Sequence, residues 1–250
     1  MTRKSFPFLA TGGELKDLEQ PGYYAGYSTM AQTQSWEEAT KKVVTDRVEK
    51  TPAIRFFSKE EAALFSAVIN RVMPQDDRAE GCKIPILPIL DERLHKNSLN
   101  GFRYEDMPPD QQAYRLAAKA VEEMAQERFG ESFPALTVHR QELILKSLHD
   151  GKPEPDNAVW QTIPIHRFWA MLMEDCVTAY YSHPWAWDEI GFGGPAYPRG
   201  YMRLENGLPE PWEKDEQPYE WNAPVDSLSK LDEQGAPPEQ GSSHGHGGSH

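Results

Sequence analysis

The sequence predicts an all-α protein with a single small helical core of about five helices and long, irregular N- and C-terminal arms. Three observations support this fold class. Apolar residues recur at helical spacing in five segments, and no segment shows a convincing alternation of apolar and polar residues. The 21 prolines cluster outside these segments. Hydrophobic residues make up only 38% of the 250 residues, which favours one compact core over a large globule.

The chain divides by composition into four regions. Residues 1–52 are rich in Gly, Tyr, Gln and charged residues, so we expect an N-terminal arm that is partly ordered only on a partner. Within it, residues 36–50 fit a short polar helix with a thin apolar face. The helical core is predicted for 53–183. A docking strap rich in Gly, Pro and aromatic residues covers 184–212, and 213–250 form an acidic, Pro- and His-containing tail that is predicted to be largely disordered.

The first core helix is predicted to begin after Ser58. Ser58 and Glu61 have the spacing of a capping box, in which each side chain bonds the other residue's backbone amide. Pro74 ends the helix, because proline cannot donate the next helical hydrogen bond. The predicted inner residues are Ala62, Phe65, Val68, Ile69 and Val72.

Three further helices follow in order. The second is predicted for about 85–96. The third begins at Pro108-Pro109, where the missing amide costs little, and ends at Gly130. The fourth runs over 138–149 and ends before Gly151. The predicted inner residues are Ile86, Ile89, Leu90 and Leu94 in the second helix, Tyr114, Ala117, Val121 and Met124 in the third, and Leu143, Ile144 and Leu148 in the fourth.

The fifth helix has the best periodicity and covers nearly five turns. Its opposite face is predicted to carry Arg167 and Asp175. The predicted inner residues are Ile165, Phe168, Trp169, Leu172, Met173, Cys176, Val177, Tyr180 and Tyr181.

The docking strap is the most informative part of the sequence. Between Asp188 and Leu204, glycines, prolines, aromatic rings and arginines follow no regular period, so this stretch is not expected to bury itself as a helix or a strand. Glycine allows a positive φ or a close approach to another surface, and aromatic residues and arginine are enriched at protein interfaces. The predicted partner-docking residues are Trp187, Phe192, Tyr197, Arg199, Tyr201 and Arg203.

Charge and hydropathy exclude two kinds of partner. The formal net charge of −13 argues against nucleic acid, because phosphate binding needs a basic surface. No run approaches the ~20 apolar residues of a membrane span, so no direct span is predicted. Residues 2–6 resemble a degraded twin-arginine export motif, but no apolar region follows them. As read, the chain is therefore expected in the cytoplasm.

The sequence offers few candidates for chemistry. Residues 191–196 match a relaxed dinucleotide-binding pattern, but they lack the preceding strand and the following helix that this motif requires. Glu92 and His95 form a single Glu-x-x-His motif, whereas a di-iron bundle needs two. His166 and His183 lie near the fifth helix and are expected to be packing residues. We assign no catalytic, cofactor-binding or metal-binding residue, and this favours a protein that works by holding another one.

The two cysteines, Cys82 and Cys176, leave two interpretations open. They could form a disulfide if the chain reaches an oxidising compartment, and closing so long a loop would stabilise the fold by about 4–5 kcal/mol. Alternatively they are two small buried side chains, which is the favoured interpretation. They are too few for an iron–sulfur cluster or a four-thiolate zinc site.

An ordered set of motifs over roughly residues 54–212 resembles the gluconate 2-dehydrogenase subunit 3 family. The set comprises Phe56-Phe-Ser-Lys-Glu-Glu, Ile69-Asn-Arg-Val-Met-Pro, the segment 84–93, Ala179-Tyr-Tyr-Ser-His-Pro and the strap over 187–204.

The resemblance implies a small accessory subunit with no cofactor of its own. The large partner subunit, a flavin-dependent dehydrogenase of the GMC type, would carry FAD and the catalytic residues and act on CH–OH groups. A multi-haem cytochrome c commonly takes the electrons onward in this family. The complex would be periplasmic and peripheral to the membrane if the partner carries this chain out.

Two functional hypotheses follow from these observations. In the first, the chain is a non-catalytic subunit that binds and stabilises the FAD-containing subunit of a sugar, sugar-acid or alcohol dehydrogenase. The alternative is a stand-alone metal-dependent enzyme that uses Glu92, His95, His166 and His183, or an unrelated helical binding module. Stoichiometric metal in the purified chain would favour the enzyme.

Overall fold

The computed structural model describes residues 28–76, 78, 80–99, 101, 103–197 and 200. Over these residues the fold is all-helical, which confirms the predicted class. The α-helices are α1 (Glu38–Glu49), α2 (Lys59–Val72), α3 (Ile86–His95), α4 (Asp110–Phe129), α5 (Val138–His149), α6 (Ile165–Tyr181) and α7 (Pro184–Glu189). Short 3₁₀ helices cover Thr29–Ser35, Glu80–Cys82, Phe133–Ala135 and Ala158–Gln161. Among the helices that the structure describes, none is long and apolar enough to cross a membrane.

Local signals set the helix ends. Ser58 and Glu61 form the predicted capping box at the start of α2, and each of the two side chains accepts a backbone hydrogen bond from the other residue. Gly130 ends α4 with a φ of +73°, a left-handed conformation that costs glycine little. Thr137 caps α5 by accepting a hydrogen bond from the Arg140 amide.

The main core lies between α2, α3, α4, α5 and α6. Helix α2 packs against α3, α4 and α5, while α6 packs against α3, α5 and α7. A series of aromatic rings crosses this core at centroid distances of 4.9 to 5.8 Å, with the neighbouring pairs in edge-on or tilted arrangements. In order the rings are Phe57, Phe65, Tyr114, Phe168 and Trp160.

One predicted face was partly wrong. Asp175, assigned to the outer face of the fifth helix, is only 3% exposed, whereas Val177 and Tyr181, assigned to the inner face, are each 45% exposed. The reason is that Asp175 has polar partners on α3 and α4, so burial does not leave its charge unpaired.

The strap also begins differently from the prediction. Residues 184–189 form α7, a short helix that starts with Pro184, and five of its six residues are buried. His183 caps this helix, because its imidazole Nδ1 accepts a hydrogen bond from the Trp185 amide at 3.2 Å. The strap is therefore helical over 184–189, and its described residues from 190 to 197 form no further helix.

Candidate functional site

The described part of the N-terminal arm packs against the strap. The 3₁₀ helix Thr29–Ser35 and α1 both contact α7, although about 150 residues of chain separate them from it. We call this contact region the clasp, and define it as residues 29–49 together with 182–196. It is the place where the predicted strap meets a surface, and in this structure that surface belongs to the same chain.

Hydrogen bonds from Thr29 and Arg47 help to hold the clasp. The Thr29 amide donates to Asp188 Oδ1 at 2.6 Å, and the Thr29 hydroxyl donates to the Phe192 carbonyl at 2.7 Å. Thr29 and Asp188 have no exposed surface. The Arg47 guanidinium donates to the Ser182 carbonyl at 2.8 Å and so ties α1 to the end of α6. Since Thr29 bonds both α7 and the loop after it, it fixes their relative position.

Apolar contacts add to these bonds. Trp36, Val44 and Trp187 form a buried cluster that is separate from the main core, and Met30 and Phe192 pack against it. The Trp187 indole N–H donates to the Tyr181 carbonyl at 2.5 Å, so its polar atom is satisfied. Burying two tryptophan rings makes this cluster the main apolar contribution to the clasp.

Gly194 lies at the closest approach within the clasp. A Cβ atom at this position would stand 2.7 Å from Thr29 Cγ2 and 2.9 Å from Trp36 Cζ2. The residue also has a φ of +80°, a conformation that side chains disfavour. Glycine is therefore required here for two reasons, and the predicted role of a strap glycine in close approach applies at this position.

Asp188 is the most unusual titratable group of the clasp. Its Oδ2 is buried and has no hydrogen-bond partner among the residues that the structure describes. Burial raises the pKa of Asp188 to about 8, against the opposing effect of the hydrogen bonds from Thr29. The side chain is therefore largely neutral at pH 7.

A second polar network lies beneath α7. Arg78, only 4% exposed, donates to the Tyr180 hydroxyl at 3.2 Å and to the Glu189 carboxylate. The Tyr180 hydroxyl in turn donates to Glu189 Oε2 at 2.7 Å. Burial, together with the negative charge of Glu189, raises the pKa of Tyr180 well above its usual range. This network fastens α7 to α6 and to the loop that contains Arg78.

The main core contains a third buried network around Asp175. Its carboxylate accepts hydrogen bonds from the Arg93 guanidinium and the Tyr114 hydroxyl, each at 2.6 Å. Arg93 also donates to Asp110 at 2.7 Å. Burial and the nearby Asp175 charge raise the pKa of Tyr114, so the phenol remains a donor. The network joins α3, α4 and α6.

Asp91, which lies on α3, has a similar structural role for the residues that precede α2. Its carboxylate accepts hydrogen bonds from the backbone amides of Arg55, Phe56 and Phe57 at 2.7 to 3.2 Å. Because it satisfies three amides that precede the helix, it fixes the direction in which the chain enters the core.

The residues of the metal-enzyme hypothesis have other neighbours. Glu92 forms ion pairs with Arg55 and Lys96, while His95 and His166 are exposed. Burial lowers the pKa of His183, the cap of α7, to about 3, so the ring is neutral at pH 7. Within the described part of the chain, no group of three or more His, Cys, Asp or Glu side chains could hold a metal ion.

Both cysteines are buried thiols. Burial raises the pKa of Cys82, and it raises the pKa of Cys176 to about 12. A thiol is a poor nucleophile until it loses its proton, so neither side chain is reactive at pH 7. A disulfide between the two in an oxidising compartment stays a prediction.

The predicted docking residues differ in exposure. Trp187 is buried inside the chain, which leaves little ring surface for a partner, and Phe192 is half-buried against it. Tyr197 is 62% exposed, the largest value among the exposed large apolar side chains of the described residues. The remaining three predicted residues, Arg199, Tyr201 and Arg203, lie outside the described residues.

The residues that hold the strap were not predicted from the sequence; they are Thr29, Trp36 and Asp188. The first two lie in a segment without apolar periodicity, so no pattern singles them out. One feature of the sequence could have indicated this contact. A strap with closely spaced glycines needs a nearby surface to approach, and Trp36 was a large apolar side chain that had no predicted place in the core.

Comparison with protein-family models identifies a family for this chain. The model described as gluconate 2-dehydrogenase subunit 3 matches residues 59–194, more than half of the 250-residue chain. The match runs from the start of α2 to Gly194 and confirms the resemblance inferred from the motifs. No curated protein and no solved structure matches the chain significantly.

Proposed function

This chain belongs to the gluconate 2-dehydrogenase subunit 3 family, and on that basis we propose that it is a non-catalytic accessory subunit of a flavin-dependent dehydrogenase complex. In this proposal it binds and stabilises a large subunit that carries FAD and oxidises a sugar, a sugar acid or an alcohol. Family membership is the observation that carries the proposal. It covers all helices of the main core and α7.

The roles of the most perturbed titratable groups are consistent with this proposal. Strongly shifted pKa values are typical of catalytic residues, but they also arise in structural networks. Here the shifted groups bind neighbouring parts of the same fold: Tyr114 bonds Asp175, Tyr180 bonds Glu189, and His183 caps α7. Each of these contacts holds a helix in place.

We place the partner surface around the exposed side of the clasp. Nine large apolar side chains are exposed among the described residues, and five of them lie on α1, the last turns of α6 or the strap. The free-energy cost of exposing an apolar side chain to water is removed when a partner covers it, and groups of exposed apolar residues mark interaction surfaces. The five are Val43, Val177, Tyr181, Ile190 and Tyr197.

Tyr197 is the proposed central anchor of this surface. It lies three residues after Gly194, in a loop whose preceding residues are packed against Thr29 and Trp36. A loop held in place before binding loses less conformational entropy when a partner docks. A tyrosine presented in this way is a residue type enriched among binding hot spots.

The experiment is an affinity pull-down of the full chain from its native host, read by mass spectrometry and by the absorption spectrum of bound flavin. Recovery of a large flavoprotein in stoichiometric amount supports the proposal. Tyr197→Ala should weaken recovery, with a loss of about 2 kcal/mol or more in binding free energy. A colourless chain recovered alone would overturn the accessory-subunit proposal.

Leu99→Ala is the matched control. Leu99 is 55% exposed, close to the value for Tyr197, but it lies in the connection between α3 and α4. Equal recovery of flavoprotein by the Leu99 variant and the unsubstituted chain would assign the loss to the strap surface. Equal loss in both variants would show that the anchor is not at Tyr197.

The proposal also covers the other components of the complex. FAD would reside in the large subunit, and a multi-haem cytochrome c would accept the electrons, which haem bands in the same absorption spectrum would reveal. The compartment would follow the partner: periplasmic and peripheral to the membrane if the partner carries an export signal, cytoplasmic otherwise. Fractionation of the native host distinguishes the two.

A further inference from the structure

The clasp is attached to the rest of the fold mainly through α7 and the loop after it. The cluster of Trp36, Val44 and Trp187 is separate from the main core, and Val48 is the residue of α1 that packs against that core. Residues 50–55, the first part of the connection from α1 to α2, are exposed apart from the half-buried Pro52. A segment with few core contacts and an exposed connection can detach without unfolding the core.

The hydrogen bond that joins Thr29 to α7 has a buried carboxyl group as its acceptor. Asp188 Oδ1 accepts from the Thr29 amide, but Oδ2 is buried with no hydrogen-bond partner in the described structure. An ionised carboxylate with an unsatisfied buried oxygen is strongly disfavoured, whereas the neutral acid is tolerated at much lower cost. Detachment of Thr29 would admit water to both oxygens.

We propose that the clasp is a proton-dependent closure: residues 29–49 stay packed on α7 while Asp188 is protonated, and they detach as Asp188 ionises. This behaviour belongs to the chain alone and does not depend on the proposed partner. Opening would expose the rings of Trp36 and Trp187, which belong to the buried cluster of the closed clasp.

The charged groups around Asp188 are few. From α7 itself, Glu189 disfavours ionisation of Asp188, and from the neighbouring loop Arg78 favours it. The cap residue His183 is neutral above pH of about 3. From the helices packed against α7, α1 contributes Arg47 and α6 contributes Tyr180. The segments Thr29–Ser35 and 190–196 contain no titratable side chain.

The sign of the pH dependence follows from the direction of the shift. The pKa of Asp188 in the closed clasp is raised above its usual value to about 8. The stabilisation of the closed state is therefore complete at acidic pH and is lost as the pH rises towards that value. Because opening releases one proton, the equilibrium constant for opening rises about tenfold per pH unit between the usual pKa of the carboxyl group and about pH 8. Above about pH 8 this constant no longer changes with pH.

Hydrogen–deuterium exchange of the full chain, read by mass spectrometry, tests the proposal. After correction for intrinsic exchange, peptides from 29–49 should lose protection about tenfold per pH unit between about pH 5 and pH 8, while α2 and α4 peptides stay protected. Constant protection of the clasp peptides across this range would overturn the proposal.

Asp188→Asn is the decisive variant, because asparagine keeps the oxygen that accepts from Thr29 and cannot ionise. Its clasp peptides should remain protected up to about pH 9. Loss of protection with the same slope as the unsubstituted chain would also overturn the proposal. Glu49→Gln, which neutralises an exposed carboxylate at the end of α1, is the control and should keep the original slope.

Discussion

Replacing Gly194 by alanine should open the clasp without unfolding the helical core. The added Cβ would meet Thr29 Cγ2 at 2.7 Å and Trp36 Cζ2 at 2.9 Å. Overpacking of this kind costs about 1–3 kcal/mol, and the left-handed backbone costs a residue with a side chain about 1–2 kcal/mol more. The expected penalty on the closed clasp is therefore about 2–5 kcal/mol.

This penalty is large compared with what holds the clasp. Its hydrogen bonds contribute about 1 kcal/mol each, and each buried tryptophan ring contributes a few kcal/mol. The net stability of the closed clasp is smaller than these contributions, because ordering the arm costs conformational entropy. A loss of about 2–5 kcal/mol should therefore leave the segment largely detached, while the main core, which does not contain Gly194, keeps its stability.

The assay is hydrogen exchange at about pH 6, where the clasp of the unsubstituted chain should be closed. In Gly194→Ala, peptides from 29–49 should exchange freely and α4 peptides should not. Gly130→Ala is the matched control, since Gly130 has a similar φ of +73° but no atom within 4 Å of an added Cβ. Clasp peptides as protected in Gly194→Ala as in the control would refute the argument from close approach.

Two further substitutions test the core. Asp175→Ala should lower the free energy of unfolding by about 3–5 kcal/mol, because it leaves the Tyr114 hydroxyl and part of Arg93 without their buried acceptor. Chemical denaturation measures this free energy, and a loss below about 1 kcal/mol would show that the network is unimportant for stability. Ser58→Ala should lower the same free energy by about 1 kcal/mol through loss of the capping box at α2, while an unchanged denaturation midpoint would argue against the cap.

Local signals made the core helices predictable. The capping box at Ser58 and the proline at Pro74 gave bounds for the first core helix, and the structure has it at Lys59–Val72. Gly130 likewise ended the predicted third helix. Capping and helix termination depend on a few neighbouring residues, so the sequence alone contains the information.

The buried acids were not predictable in the same way. Asp175 and Asp188 are buried because of partners 61 to 159 residues away, namely Tyr114 and Thr29. A prediction from apolar periodicity assigns every carboxylate to the surface. Only the tertiary fold shows a hydrogen-bond donor that compensates for burying the carboxylate. The candidate site was predictable as a Gly-rich strap that needs a surface, but the identity of that surface was not.

The clasp and the proposed partner surface can be separated by experiment, although they share the strap. Asp188 and Gly194 act inside the clasp, whereas Tyr197 is largely exposed. If the closed clasp presents Tyr197 to the partner, Gly194→Ala should weaken flavoprotein recovery even though it leaves Tyr197 in place, because a detached arm no longer fixes the loop. If recovery depends on Tyr197 alone, the two substitutions should differ, and the clasp would then control only the exposure of its own tryptophans.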